Sequence, residues 1–345
     1  MTRYFGLPDG HRTERRRIGV VLVNLGTPSG PDVAAVRRYL AEFLADPRVV
    51  ELPRWIWWPI LHGVILRLRP RRSAHAYAEV WMPEGSPLLV HTRALADAIQ
   101  TSLDSERPDR IVVRYAMRYG KPQLRSVLRE LAGEGMRRLL VLPLYPQYSA
   151  TTTGSVLDAL AAEFRSWRWI PEFRFVNGYH DDPGHLEALA RSVEAHWREH
   201  GRAPRILLSF HGLPQRYTRK GDPYFDQCRV TAQALRERLA LPADAMQMAF
   251  QSRVGRGRWL SPYTDEVLAA LPGAGVAWVQ VLCPGFAVDC LETLEEIAIR
   301  YREVFLAAGG ERFEYVPALN TSTDQVRALT RLILRHGQGW PEFDS

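Results

Sequence analysis

The sequence predicts an α/β fold of two similar doubly wound domains, each on a four-stranded parallel sheet, with a cleft between them. Three observations carry this. Short β-rich apolar runs alternate with amphipathic helical stretches along the chain, the order expected of parallel sheets with helices on both faces. Three short motifs recur in the same order in the two halves, which points to a duplicated unit. Finally, 345 residues exceed what one hydrophobic core usually serves.

In the first half the strands are Val20–Leu25, Ile111–Ala116, Leu139–Leu144 and Phe173–Asn177. Each is a short apolar run bounded by turn residues. A hydroxyl-rich turn, Tyr145 to Ser155, leads into a helix at Val156–Phe164. The second half carries strands at Ile206–Phe210, Met246–Phe250, Trp278–Leu282 and Phe313–Val316. Its helical patterns cover Leu186–His200, Asp226–Leu239, Thr264–Leu271 and Leu291–Ala307, with Thr323–Arg335 after them. This gives Rossmann-like domains at 1–180 and 181–320, then a C-terminal helix and tail at 321–345.

The recurring motifs are VNLGTP (Val23–Pro28) with SFHGLP (Ser209–Pro214), RYAMRYG (Arg114–Gly120) with AFQSRVG (Ala249–Gly255), and VLPLYPQY (Val141–Tyr148) with VLCPGFAV (Val281–Val288). Gly26 and Tyr115 are 89 residues apart, but Gly212 and Phe250 only 38. The surplus of about 50 residues marks an insertion at 50–90 that contains LPRWIWWPILHGVILRLRPRR, Leu52 to Arg72. Aromatic and aliphatic residues followed by Arg67, Arg69, Arg71 and Arg72 suit a membrane interface or a lip over an apolar ligand. A core helix with a solvated basic end is the alternative.

Composition narrows the function. The net charge of +7 comes from scattered Arg with only two Lys, and no zinc-finger spacing or RNP-like aromatic motif is present. No nucleic-acid partner is expected. Three cysteines make no disulfide framework, which fits a reducing cytoplasm. The polar N-terminus with Arg15, Arg16 and Arg17 lacks a secretory pattern, and no run reaches the roughly 20 apolar residues a spanning helix needs.

In open α/β sheets, ligands sit beyond the carboxyl ends of the strands. His211 stands at such an end, and Tyr115, Tyr145 and the segment after Val281 are placed there too. An imidazole at a strand exit serves as a base or a metal ligand, or as a structural hydrogen-bonding group. After the strand ending at Leu282, Asp289, Glu292 and Glu296 follow at i, i+3, i+7. On an α-helix they share a face. Asp289 as N-cap with Glu292 at N3 also reads as a capping box. A carboxylate stripe would conduct protons or guide a divalent cation, since oxygen ligands suit hard and borderline metals and imidazole suits iron, zinc and copper. The turn at 145–155 is not a P-loop, VGRGRW (Val254–Trp259) lacks the full dinucleotide fingerprint, and no nucleophile elbow is present.

The stretches VLVNLGTP, EGSPL, YPQYSATTTGS, LSFHGLP, GDPYFDQC and DCLETLEEI together resemble the ferrochelatase family over about residues 18 to 320. The resemblance implies insertion of Fe²⁺ into a porphyrin, as substrate rather than resident cofactor, in a cleft between the two domains. It implies protoporphyrin IX, with coproporphyrin, another tetrapyrrole chelatase or a non-catalytic porphyrin carrier as alternatives. By motif, His211 and Glu292 are its catalytic and metal-contacting residues, with Asp289 and Glu296 as a proton or metal path. Leu25, Arg72, Ser86, Arg114, Tyr115 and Tyr148 are its porphyrin contacts. The insertion matches the family's lip, which implies a cytoplasmic protein that touches the inner membrane face peripherally. Cys290 stands where some members have His. No cysteine follows it, so no [2Fe–2S] cluster is expected.

Overall fold

The computed structural model describes residues 4–6, 17–106, 110–255 and 257–341. Arg15 and Arg16 of the basic N-terminus, Arg256 of VGRGRW and the last four residues of the tail lie outside the described residues. Two four-stranded parallel sheets organise the chain. The first contains β1 (Arg17–Thr27), β2 (Ile111–Gly120), β3 (Met136–Pro143) and β4 (Glu172–Phe175), in the order β2-β1-β3-β4. The second contains β5 (Arg205–His211), β6 (Met246–Gln251), β7 (Trp278–Leu282) and β8 (Arg312–Val316), in the order β6-β5-β7-β8. The two orders are the same, as the repeated motifs require.

All eight expected strands are present. Ile18, Val20, Val21, Leu22 and Val23 are wholly buried, the continuous apolar run of a strand covered on both faces. In the second sheet alternate residues feed separate cores. Ile206, Leu208 and Phe210 pack with Val193 and Leu235. Leu207, Val279 and Val281 pack with Leu268, Ile297 and Phe305.

The chain separates into two compact units. The first holds residues up to 144, 150–178 and those from 326 onward; the second holds 145–149 and 179–325.

The echo between VNLGTP and SFHGLP has a steric cause. Gly26 closes β1 with φ +111°, and a Cβ there would lie 1.8 Å from the Tyr119 carbonyl oxygen of β2. A Cβ on Gly212 would lie 2.6 Å from the Gln251 carbonyl oxygen of β6. In each unit the neighbouring strand's backbone presses on a glycine at the carboxyl end of the central strand, where a Cβ would clash.

Between β1 and β2 lie helices Val33–Leu44, Arg54–Ile60, Leu66–Val80 and Pro87–Glu106, with a π-helical turn at Leu61–Ile65. Between β5 and β6 lie only Gln215–Arg219 and Tyr224–Arg238. The surplus is therefore a helical arm. Trp57 anchors it: the indole is buried and its Nε1 donates to the Leu44 carbonyl at 2.7 Å. Trp55 is 78% exposed, and Trp58, Ile60, Val64 and Leu68 are exposed as well. That exposure removes the core-helix alternative.

One expected position changes. β2 runs on to Gly120, because the long β1 keeps pairing with it through Gly26–Tyr119 and Thr27–Gly120. Tyr115 therefore sits mid-strand opposite Leu22, not at a strand exit.

Candidate active site

His211 is the last residue of β5 and pairs in register with Gln251, the last residue of β6. It is half-buried. Its Nδ1 lies 2.8 Å from the Gly212 carbonyl oxygen. A carbonyl only accepts, so Nδ1 carries the proton, and in the neutral ring the lone pair is on Nε2. Among the described residues no protein group occupies Nε2. The buried phenol of Tyr224, from GDPYFDQC, lies against the His211 backbone.

Gln251 ties this exit to the acidic helix. Its Oε1 accepts from Ser209 Oγ at 2.7 Å, and its Nε2 donates to the Glu292 carbonyl at 2.8 Å. Ser209 Oγ also meets Thr264 Oγ1 at 2.8 Å. The amide is buried, so its hydrogen bonds fix where the helix begins relative to His211. Nothing in its sequence context distinguishes Gln251 from a solvated glutamine, so its role shows only in the fold.

The acidic helix is π-helical over Glu292–Tyr301 and α-helical over Arg302–Ala307. Bonding i to i+5 departs from the α spacing assumed for the acid stripe. The capping box is also absent, because Asp289 lies ahead of the helix and donates its N–H to Asn320 Oδ1, not to Glu292. The three acids then differ sharply. Asp289 is buried and accepts from Thr293 Oγ1 (2.9 Å), Tyr315 Oη (2.6 Å), Asn320 Nδ2 (2.7 Å) and the Ala318 N–H (3.4 Å). Glu296, also buried, accepts from the Ser252 N–H (3.0 Å), Ser252 Oγ and Tyr301 Oη (2.9 Å). Glu292 is half-buried, and the partner of its carboxylate is the Cys290 thiol, whose own acidity burial suppresses. Glu292 is thus the acid with the most free lone pairs. Among the described residues no three of His, Cys, Asp and Glu are arranged to hold a metal ion.

The motifs YPQYS and GDPYFDQC meet in this unit. Ser149 Oγ donates to Asp222 Oδ2 at 2.9 Å, the Tyr148 N–H donates to Gln227 Oε1 at 2.6 Å, and Gln147 Nε2 donates to Thr231 Oγ1 at 3.0 Å. The Tyr148 side chain is half-buried.

The remaining expected contacts lie in the first unit. Leu25, half-buried, precedes Gly26 as His211 precedes Gly212. Arg72 is exposed on the arm. Ser86 is buried, and its hydroxyl accepts from the Leu89 N–H at the start of helix Pro87–Glu106, so it serves as a helix cap. Arg114 bonds both oxygens of Glu134 at 3.0 Å, just ahead of β3. That places its guanidinium toward the strand N-termini, away from the carboxyl end. The Arg–Tyr pair at the exit of β2 is Arg118–Tyr119, four positions further on. Asp46 Oδ2 accepts from Arg118 (2.6 Å), Tyr119 Oη (2.8 Å) and Ser155 Oγ (2.6 Å), and Oδ1 accepts from the Arg48 N–H (2.7 Å). Burial opposes its charge, but the bonds from Ser155, Arg48 and Tyr119 and the Arg118 charge hold its carboxyl below the usual range. Burial pushes the Tyr119 phenol well up.

Paired parallel sheets with a free imidazole at a strand exit define an α/β protein of the chelatase type. SirB from Bacillus subtilis with Fe³⁺ shares the fold, with a TM-score of 0.54 at 11% identity over 93% of this chain and 96% of that one. The sirohydrochlorin chelatase SirB from Bacillus subtilis subspecies spizizenii, in complex with cobalt, gives 0.50 at 9% identity over 93% and 95%. The chain belongs to the ferrochelatase family: a family model described as Ferrochelatase matches residues 17–337. Ferrochelatase of Marinobacter nauticus is 52% identical over 337 residues, covering 98% of this chain and 91% of the relative. Ferrochelatase of Nitrosococcus oceani is 54% identical over 339 residues, covering 98% and 92%. The chain is accordingly a metal chelatase, a lyase of haem biosynthesis with a porphyrin substrate.

Proposed function

We propose that this enzyme inserts Fe²⁺ into protoporphyrin IX, with His211 Nε2 accepting a pyrrole proton and Glu292 meeting the incoming dication. The observation that carries the reading is the buried amide of Gln251, which neighbours His211 in register and holds the first residue of the acidic helix.

Insertion exchanges two N–H protons for one dication. The chemistry therefore needs a neutral base over the ring centre and a carboxylate able to share charge with the metal. His211 supplies the first, because Gly212 fixes its tautomer. Glu292 supplies the second, because its lone pairs are the least engaged of the three acids. Asp289 and Glu296 hold the π-helix through their donors and pass protons on from Glu292. Leu25, Arg72 and Tyr148 contact the macrocycle or its carboxylates. Iron enters as substrate with no resident cluster, since the chain has no cysteine after Cys290. Mixing the protein anaerobically with Fe²⁺ and either protoporphyrin IX or coproporphyrin, and following metalloporphyrin absorbance, tests the reading. Turnover of protoporphyrin supports it. Turnover of coproporphyrin alone changes the substrate, and stoichiometric binding without turnover makes the chain a carrier.

Among the described residues no helix is long and apolar enough to cross a membrane. The proposal places the chain in the cytoplasm, touching the inner face through the 52–72 arm. Its exposed Trp55, Trp58, Ile60, Val64 and Leu68 stand next to exposed Arg67, Arg69, Arg71 and Arg72, the pairing of aromatic and cationic groups that interfaces favour. Trp55→Arg with Trp58→Arg should weaken binding to anionic liposomes by about tenfold or more, with an unchanged circular-dichroism spectrum. Equal partitioning of the variant and the parent would remove the membrane role. Trp57 is no probe of this surface, because its buried indole holds the arm in place.

A further inference from the structure

We propose that the second unit carries a further site for a divalent transition metal, on helix Pro183–His200, with His196 and His200 as its protein ligands. The site is separate from His211 and Glu292, and it does not depend on which porphyrin the enzyme takes.

The helix closes on His196-Trp197-Arg198-Glu199-His200. Residues four apart are neighbours on a helix surface, and H-x-x-E-H is a spacing at which zinc enzymes present two imidazoles from one helix. Here the two rings lie together, with centroids 4.3 Å apart and planes at 17°. With Glu199 and Asp324 they line a groove of about 470 Å³ between this helix and the segment after β8.

Each ring has one nitrogen committed as a donor. His196 Nε2 lies 3.3 Å from Glu314 Oε2, and His200 Nδ1 lies 3.3 Å from the His196 carbonyl oxygen. An ionised carboxylate and a carbonyl only accept, so in neutral rings the lone pairs are on His196 Nδ1 and His200 Nε2. Among the described residues neither of these nitrogens has a hydrogen-bond partner. A ring whose far nitrogen donates to a carboxylate is the arrangement that metal-binding histidines adopt. Glu314 is itself braced, by Gln280 Nε2 at 2.6 Å and by Arg312. The Glu199 carboxylate stands 3.9 Å from His200 Nε2, an anion facing a lone pair, which favours a cation between them. The nearby positive charge is already matched: Arg191 pairs with Glu187 at 2.7 Å and with Asp324 at 3.3 Å. Imidazole suits iron, zinc, copper and nickel. His196 is the fixed ligand, and His200, 40% exposed against 9%, is the one that can swing to meet the ion. No three such side chains are arranged for a metal among the described residues, so water fills the rest of the shell. Ligation forms two metal–nitrogen bonds from neutral lone pairs and displaces water, with no change of oxidation state.

The test titrates Co²⁺ alone, without porphyrin, into the full chain carrying His211→Ala, so that the imidazole of the insertion site cannot report. Visible d–d bands and calorimetry follow the binding. Adding His200→Ala should weaken it by about tenfold or more, and the exposure of this ring keeps the fold out of the comparison. Adding His196→Ala should weaken it at least as much. Adding His75→Ala instead should change nothing, because His75 faces Glu79 at 3.3 Å, four positions on, with no second imidazole beside it. Affinity unchanged by His200→Ala, or lowered equally by His75→Ala, overturns the proposal. Zn²⁺ insertion at saturating metal by the chain carrying only His200→Ala should match the parent. A collapsed rate there would put His200 in the insertion chemistry and overturn the separate site. Failure of the parent itself to insert metal would remove the function reading, whereas the Co²⁺ titration stands or falls separately.

Discussion

With His211 replaced by alanine, metal insertion should slow by at least about 10²-fold, the usual scale for a lost general base, while porphyrin still binds. The structure supports both halves of that expectation. The side chain is half-buried at a strand exit, and among the described residues its one protein hydrogen bond is to its own neighbour, Gly212. Removing it orphans no distant partner. The surrounding frame, Gln251 with Ser209 and Glu292, is bonded independently of the imidazole. A large loss of rate with an intact fold then reports on Nε2 itself. Stopped-flow insertion with saturating porphyrin, alongside fluorescence quenching for binding, separates the two. Turnover near the parent's would take His211 out of the chemistry.

Asp289→Ala should instead act on stability, lowering it by about 3 kcal/mol or more, since several buried donors lose their acceptor at about 1–3 kcal/mol each. Four donors converge on this carboxylate from three elements: Thr293 on the acidic helix, Tyr315 on β8, and Ala318 and Asn320 beyond it. Alanine would leave them buried and unpaired, each at a cost. The site should loosen with it, because the same carboxylate holds Thr293, the neighbour of Glu292. Denaturant midpoints for the parent and for Asp289→Ala, with Asp289→Asn as the shape-preserving control, check this. If Asp289→Ala were as stable as the parent yet inserted metal at a collapsed rate, the carboxylate would be a proton relay and not a brace.

Much of this architecture could be read from residue order, because its causes are local. Apolar runs such as Val20–Leu25 and Ile206–Phe210 became the central strands. The glycine at the carboxyl end of each could be recognised because a Cβ there would clash with a neighbouring backbone. What escaped depends on partners far away in sequence. The π-helical stretch Glu292–Tyr301 is bonded by Gln251 and Ser252, both about 40 positions away, so α spacing was the natural expectation from local sequence. Arg114–Tyr115 and Arg118–Tyr119 are indistinguishable as dipeptides. Only the pairing of β2 with the long β1 shows which pair reaches the strand exit. Asp46, Arg118, Tyr119 and Ser155 lie up to 109 positions apart, and no window of sequence unites them. In the arm, three tryptophans within four positions have different fates. Trp57 is the buried one because its Nε1 reaches the Leu44 carbonyl.

The glycine joint shared by the two halves has an evolutionary reading. Both copies keep the same tight seam, and they differ in the side chain just before it. One copy carries an inert aliphatic group at that spot, Leu25, and the other a proton-handling ring, His211. Symmetry of scaffold thus coexists with asymmetry of side chain: an aliphatic group and an imidazole occupy equivalent places.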